Sequence, residues 1–95
     1  MIEVHVKKEN EASPWHFSVK VVDGKSSTEH QVTMDEKTYQ QLSEGKVSAE
    51  ACVEGAFRFL LDREPKEAIL RQFDITKILY YFPEFDKMLS KYLKK

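Results

Sequence analysis

The chain of 95 residues is poor in cysteine, in glycine and in long apolar runs, and each scarcity excludes a class of protein. The single cysteine, Cys52, cannot form a disulfide within the chain, so a reducing, cytoplasmic compartment is expected. The glycines Gly24, Gly45 and Gly55 are too scattered for a glycine-rich phosphate loop. No apolar run approaches the roughly 18 residues of a membrane-spanning helix. The opening segment MIEVHVKKEN lacks the basic and apolar blocks of a secretory signal.

Charge of one sign is also lacking, because the net charge is only -1. Nothing global therefore draws the chain to nucleic acid or to an anionic membrane. What the chain does contain is 41% hydrophobic and 12% aromatic residues, which can fill a small core and are too many for a disordered segment. This length suits a single domain over residues 1–95.

The first third of the chain alternates between apolar and polar residues, which is the pattern of β-strands. Three such runs begin at Ile2, Trp15 and His30. Asp23-Gly24 lies between the second and third runs and favours a tight hairpin turn with these two residues at its centre. We therefore predict a three-stranded antiparallel meander in strand order 1-2-3, with one apolar and one polar face.

The position of this turn predicts the cross-strand pairs. Between the second and third strands we expect Val22–Lys25, Phe17–His30 and Trp15–Val32. Between the first and second strands we expect Val6–Trp15, Val4–Phe17 and Ile2–Val19. In both cases the large apolar residues fall on one face, so the two registers support each other.

After Asp35 the apolar residues follow a helical period. Asp35 is a suitable N-cap for a first helix that Gly45 ends. Ser48 is a suitable N-cap for a second helix from Ala49 to about Glu64. Gly55, inside this second helix, indicates close backbone packing, with the sheet as one candidate neighbour.

The remaining segment predicts further short helices. We expect one over 66 to 72 or 73, one over 75–82 that Asp74 caps, and one that Pro83 opens and Lys94-Lys95 ends. The predicted fold class is therefore α+β, a three-stranded antiparallel meander followed by four or five short helices packed on one sheet face.

The histidines are the first candidates for a metal site. His5 and His16 are predicted to lie opposite each other on the polar face, where Glu3 or Glu29 could supply a third ligand. The spacing matches no common metal motif, so solvated cross-strand residues are the favoured interpretation and we expect no metal. His30 falls on the apolar face and is expected to be a hydrogen-bonded residue at the edge of the core.

No residue set in the chain is typical of an enzyme. Cys52 lies on the apolar side of its helix, which indicates a buried structural thiol rather than a nucleophile. Acid pairs such as Asp62 with Glu64 and Glu84 with Asp86 are explained by capping and solvation. We therefore expect no enzymatic activity, no catalytic residue and no cofactor.

Aromatic residues are concentrated in the tail. Neighbouring residues of a helix point about 100° apart, so one helical face cannot bury Tyr80, Tyr81 and Phe82 together. Either this helix is buried on two sides, or at least one ring lies near the surface or against a partner. The candidate partner-binding residues are Tyr80, Tyr81, Phe82 and Phe85. The most consistent function is a small, non-enzymatic intracellular protein-interaction or regulatory module that binds a protein or a second copy of itself, with no membrane partner.

One segment suggests an alternative function. Segment 29–61 contains a strand, EHQVTMD, a helix, EKTYQQLSE, a glycine-containing turn and a helix, AEACVEGAFRFLL, capped by Ser48. This order resembles the ribbon-helix-helix repressors and antitoxins. The resemblance implies a dimer whose paired strands enter the major groove of DNA through Glu29, Gln31 and Thr33, with a phosphate held near Ser48. A DNA-binding regulator or antitoxin is therefore the alternative.

The tail FLLDREPKEAILRQFDITKILYYFPEF contains the elements FLL, REP, IL, FD and YFPE in that order. Over these 27 residues it resembles a family of small, uncharacterised bacterial proteins. The resemblance implies a bacterial, cytoplasmic origin and brings no activity with it.

Overall fold

Four strands form one mixed sheet in the computed structural model, which describes residues 2–93. The strands are β1 (Ile2–Lys8), β2 (Trp15–Asp23), β3 (Ser26–Met34) and β4 (Gln72–Asp74), in the order β1-β2-β3-β4. The first three strands form the predicted antiparallel meander, and β4 joins β3 in parallel. The predicted α+β class is therefore confirmed, whereas the predicted number of strands is one too few.

Within residues 2–93, four helices and two short 3-10 turns follow the meander. They are α1 (Glu36–Ser43), α2 (Ala49–Leu61), α3 (Thr76–Tyr81) and α4 (Phe85–Met88), and the turns are Lys66–Ala68 and Leu89–Lys91. The single helix predicted after Pro83 is thus α4 followed by a 3-10 turn. Its predicted end at Lys94-Lys95 lies outside the described residues.

The hairpin between β2 and β3 turns one residue later than predicted. Asp23 pairs with Ser26, so Gly24 and Lys25 are the central residues. Gly24 has φ +64°, which glycine adopts without strain, and this is the glycine position of a type II′ turn. Moving the turn by one residue moves every cross-strand pair by two residues. The observed pairs are Phe17–Val32, Trp15–Met34 and Val19–His30.

The register between β1 and β2 also differs from the prediction. Val6 lies opposite Val19 rather than Trp15, and Val4 lies opposite Val21 rather than Phe17. The displacement is again an even number of residues. Because side chains alternate between faces with a period of two, the apolar residues stay on the predicted face.

Both long helices begin at the predicted caps. The Asp35 carboxylate accepts a hydrogen bond from the backbone N–H of Thr38 at 2.8 Å, and the Ser48 hydroxyl accepts one from the N–H of Ala51 at 3.1 Å. At the end of α1 the left-handed conformation begins at Glu44, with φ 55°, one residue before Gly45. Side chains that accept these otherwise unpaired N–H groups explain why the helices start here.

Ser48→Ala is expected to lower the free energy of unfolding by about 1 kcal/mol, because the first turn of α2 loses its only side-chain cap. Urea denaturation measures this change. Ser90→Ala is the matched control, since Ser90 is exposed and follows α4. If the two variants lose the same stability, the cap does not contribute as described.

The core lies between the helices and one face of the sheet. From the sheet it contains Phe17, Val19, Val21, Val32 and Met34; from α2 it contains Cys52, Val53, Ala56, Phe57, Phe59 and Leu60. The tail contributes Ile69, Phe73, Ile75, Ile78, Phe85 and Leu89. The opposite sheet face, which includes Lys20, Glu29 and Gln31, is polar and exposed, as predicted.

The helix predicted over 66 to 73 does not form. The chain instead makes one 3-10 turn and then extends along β3 as β4. The N–H of Gln31 donates to the carbonyl of Arg71 at 2.7 Å, and the N–H of Ile75 donates to the carbonyl of Thr33 at 2.8 Å. These bonds pair the backbone N–H and C=O groups along the outer edge of β3. A helix at 66–73 would have left these groups unpaired beside the core. Tertiary pairing therefore overrides the local helical preference.

Gly55 allows the C-terminal segment to contact α2. A Cβ atom there would lie 2.8 Å from Leu93 Cδ2 and 3.3 Å from the carbonyl oxygen of Tyr92. The close packing predicted at this glycine is confirmed, but its neighbour is the C-terminal segment and not the sheet. This contact holds the last described residues against the same helix that covers the sheet.

Candidate functional site

An apolar groove of about 370 Å³ opens beside β4. We call it the β4–α3 groove. The buried side chains in its wall are Leu60, Ile69, Phe73 and Ile78, which come from α2, the loop before β4, β4 itself and α3. Glu64 and Lys77 also line it, and the half-buried Phe82 closes one side. The groove therefore exists because the tail folds back along β3 instead of continuing as a helix.

The rim of this groove holds exposed apolar side chains. Leu70 is 45% exposed, Tyr81 is 59% exposed, and both line the groove. Tyr80, 78% exposed, packs edge-to-face on Tyr81 with ring centroids 5.5 Å apart. Within residues 2–93 these are the large hydrophobic side chains left exposed. Exposed apolar residues gathered at one concave site are typical of an interaction surface.

The structure divides the predicted partner-binding residues. Tyr80 and Tyr81 are on the surface and Phe82 is half-buried, whereas Phe85 is fully buried and belongs to the core. Phe85 is therefore unavailable to a partner and is removed from the site. The tail is thus buried at Phe85 and exposed at Tyr80 and Tyr81, and contact of the exposed rings with a partner stays a prediction. Leu70 was missed, because a single leucine before a short strand has no distinguishing pattern.

Phe59 organises the buried half of the aromatic cluster. Its ring centroid lies 5.7 Å from that of Phe82, 5.0 Å from Phe85 and 5.8 Å from Tyr92. The guanidinium carbon of Arg63 lies 3.7 Å from the same ring centroid, a cation–π distance. This packing fixes the start of α4 and the break at Pro83, and so it fixes where Tyr80 and Tyr81 lie.

Two charged residues of the tail, Arg63 and Glu84, flank the aromatic cluster. Arg63 Nη1 donates to the carbonyl of Phe59 at 3.2 Å, near the end of α2, and Arg63 Nε lies 3.7 Å from Glu84 Oε2. Asp74 accepts hydrogen bonds from the hydroxyls of Thr33 and Thr76 at 2.6 and 2.7 Å. The tail elements REP and YFPE thus have a structural explanation.

His30 connects the sheet to the rim of the groove. It is buried on the apolar face, as predicted, and its Nδ1 lies 2.7 Å from the carbonyl oxygen of Leu70. Because a carbonyl only accepts, Nδ1 carries the proton and Nε2 accepts from the Thr28 hydroxyl at 2.8 Å. Burial lowers the pKa of His30; the hydrogen bond to Leu70 opposes this shift, and the charge of Arg71 adds to it. The neutral imidazole is therefore a structural link between β3 and Leu70.

The two remaining histidines do not meet. In the observed register His5 lies opposite Lys20 and His16 lies opposite Thr33, because the β1–β2 pairing differs from the predicted one. His5 Nε2 contacts Glu3 Oε1 at 2.9 Å. Within residues 2–93 no group of three histidine, cysteine or acidic residues could hold a metal ion. The predicted proximity of His5 and His16 was therefore wrong.

The Cys52 thiol is buried, as predicted. Burial raises its pKa to about 11, so the thiol stays protonated at neutral pH. A nucleophilic cysteine needs thiolate character and exposure, and Cys52 has neither. Its environment is that of a packed core residue.

The residues of the ribbon-helix-helix resemblance lie apart from the groove. Glu29 and Gln31 are exposed and Thr33 is half-buried, all on the polar sheet face, while Ser48 caps α2. A ribbon requires β3 to pair with its twin, but β3 already lies between β2 and β4. Segment 29–64 contains eight acids and four bases, a net charge of -4. This geometry and charge give no support to DNA binding through β3.

No helix within the described range is long and apolar enough to cross a membrane. No protein-family model, curated protein or solved structure shows significant similarity to the chain.

Proposed function

We propose that this chain is a small, non-enzymatic protein-interaction module whose β4–α3 groove receives apolar side chains of a protein partner. The observation that carries the proposal is the position of the large apolar residues that are exposed within residues 2–93: Leu70 and Tyr81 line the groove, and Tyr80 packs on Tyr81. Tyrosines supply large apolar area with a polar end, which is why they are enriched at interfaces.

The chemistry of the groove favours a protein over a small ligand. Small-molecule sites combine an apolar cavity with several convergent polar groups. Here the charged side chains in the wall are Glu64 and Lys77, and the rest of the lining is aliphatic or aromatic. An open apolar groove with one acid and one base on its wall suits side chains presented by another protein surface. A bacterial, cytoplasmic setting is part of the proposal, supported by the tail resemblance and by the single cysteine, which cannot form a disulfide within the chain.

Photo-crosslinking in the cells that encode the chain tests the proposal. A benzoylphenylalanine at Tyr81 is expected to form covalent adducts with protein after irradiation, because this ring is at the groove rim. The same residue at Lys20, exposed on the polar sheet face, is the matched control and should give no adduct. Adducts to any protein, including a second copy, support the proposal. Equal yields at the two positions, or no protein adduct from position 81, would overturn it.

A further inference from the structure

We infer that the protein received by the β4–α3 groove is a second copy of this chain, joined through the outer edges of β4. The inference rests on the proposed function, since it identifies the partner of the same groove. It follows from three properties of this edge of the molecule, namely its free backbone groups, its charges and its shape. Each property is its own complement under a two-fold axis.

The free backbone groups are those of Gln72 and Asp74. Hydrogen bonds at Arg71 and Ile75 show that odd-numbered residues face β3, so the N–H and C=O groups of Gln72 and Asp74 point away from it. β4 is the last strand of the sheet, and no other strand within residues 2–93 pairs with this edge. An antiparallel twin would place Gln72 opposite the partner's Asp74 and Asp74 opposite the partner's Gln72. In both pairs the two residues would exchange backbone hydrogen bonds, and the two-fold axis would pass between the two copies of Phe73.

The charges of the groove are also self-complementary. Glu64 and Lys77 both line it, and neither forms an ion pair with another residue of the described chain. A two-fold axis brings Lys77 of each copy towards Glu64 of the other. The same contact then occurs twice, so a favourable or unfavourable pair counts double at this interface.

The same face of the molecule carries both projecting side chains and a groove that could receive them. Tyr80 and Tyr81 project beside the groove, and a two-fold axis inserts the tyrosines of each copy into the groove of the other. A stable interface covers about 800 Å² on each partner, roughly one seventh of the 5902 Å² surface of this chain. The groove alone is too small for that area, whereas the groove, the tyrosines and the β4 edge together form one continuous surface.

Charge reversal, read out by sedimentation equilibrium, tests the inference. The wild-type chain is expected to sediment at twice its 11.1 kDa mass. E64K and K77E should each weaken dimerisation at least tenfold, because each places two like-charged pairs across the axis. An equimolar mixture of the two variants should recover a dimer, since in the mixed dimer both pairs are again opposite in charge. The double variant E64K/K77E should also recover it.

The matched controls are K20E and E29K on the polar sheet face, which should leave the dimer unchanged. A wild-type chain that is monomeric up to about 1 mM, or a dimer indifferent to both groove variants, overturns the inference. The two failures are distinguishable from failure of the proposed function. A monomer that still forms adducts with other proteins from position 81 keeps the groove as an interaction site and removes only the second copy.

Discussion

Phe59→Ala is expected to lower the free energy of unfolding by about 4 kcal/mol, the largest effect of any substitution considered for this chain. Phe59 is fully buried and packs against Phe82, Phe85 and Tyr92, with Arg63 over its ring. Removing the ring leaves a cavity between α2 and the tail and takes away the partner of the guanidinium. Thermal and urea denaturation measure the loss, and a melting temperature lowered by on the order of 20 °C is expected.

Two matched variants separate this packing from general sensitivity of the tail. Phe59→Leu keeps an apolar side chain at the site and should cost clearly less than alanine. Lys87→Ala shortens an exposed side chain on α4, outside the groove, and should change stability by no more than about 0.5 kcal/mol. A loss for Phe59→Ala as small as that for Lys87→Ala would show that Phe59 is not the centre of the cluster.

His30→Ala is expected to cost about 3 kcal/mol, because it leaves both the Leu70 carbonyl and the Thr28 hydroxyl without a buried partner. The ring also packs on Phe57, with centroids 5.3 Å apart, so a cavity adds to the loss. His30→Gln is the matched variant, since its amide can donate to Leu70 and accept from Thr28. It should recover part of the loss. Equal losses for the two variants would mean that these hydrogen bonds contribute little.

His30 should also make the stability of the chain depend on pH. Its folded pKa lies below the ordinary value of 6.5, so the unfolded chain takes up a proton first as the pH falls. The stabilisation that comes from keeping His30 neutral in the folded chain is fully present above pH 6.5. It is lost as the pH falls towards the folded pKa. Urea denaturation at about pH 7 and about pH 5 measures the loss, and His30→Gln should reduce it. A wild-type chain equally stable at both values would contradict the description of His30 as buried and neutral.

The faces of the meander could be predicted from sequence, whereas its register could not. Alternation of apolar and polar residues determines which side chains point into the core, and this information survives any displacement by an even number of residues. The register depends on which residues form the hairpin turn. Asp23-Gly24 and Gly24-Lys25 are both acceptable centres, and alternation does not distinguish them. The error in pairing was therefore two residues between β2 and β3 and four residues between β1 and β2, and no side chain was assigned to the wrong face.

β4 could not be predicted because its cause is remote in sequence. Segment 72–74 is three residues long, too short to show a strand period, and it forms because β3 has an unsatisfied edge. The groove depends on this strand, so its Leu70 rim was also missed. The tyrosines were identified for a local reason, since Tyr80, Tyr81 and Phe82 cannot share one helical face. That argument predicts an exposed ring but not the cavity beside it.

Residue-resolved NMR of the isotope-labelled chain, in dilute buffer and in extract of the cells that encode it, tests the central claim most directly. The claim is that the β4–α3 groove binds protein. Signals of Leu70, Phe73 and Tyr81 are expected to shift or broaden in extract or, where the partner is a second copy, between dilute and concentrated samples of the chain in buffer. Those of Lys20 and Glu29 on the polar sheet face stay unchanged. Changes confined to Lys20 and Glu29, or no change at the groove in either comparison, would contradict the claim.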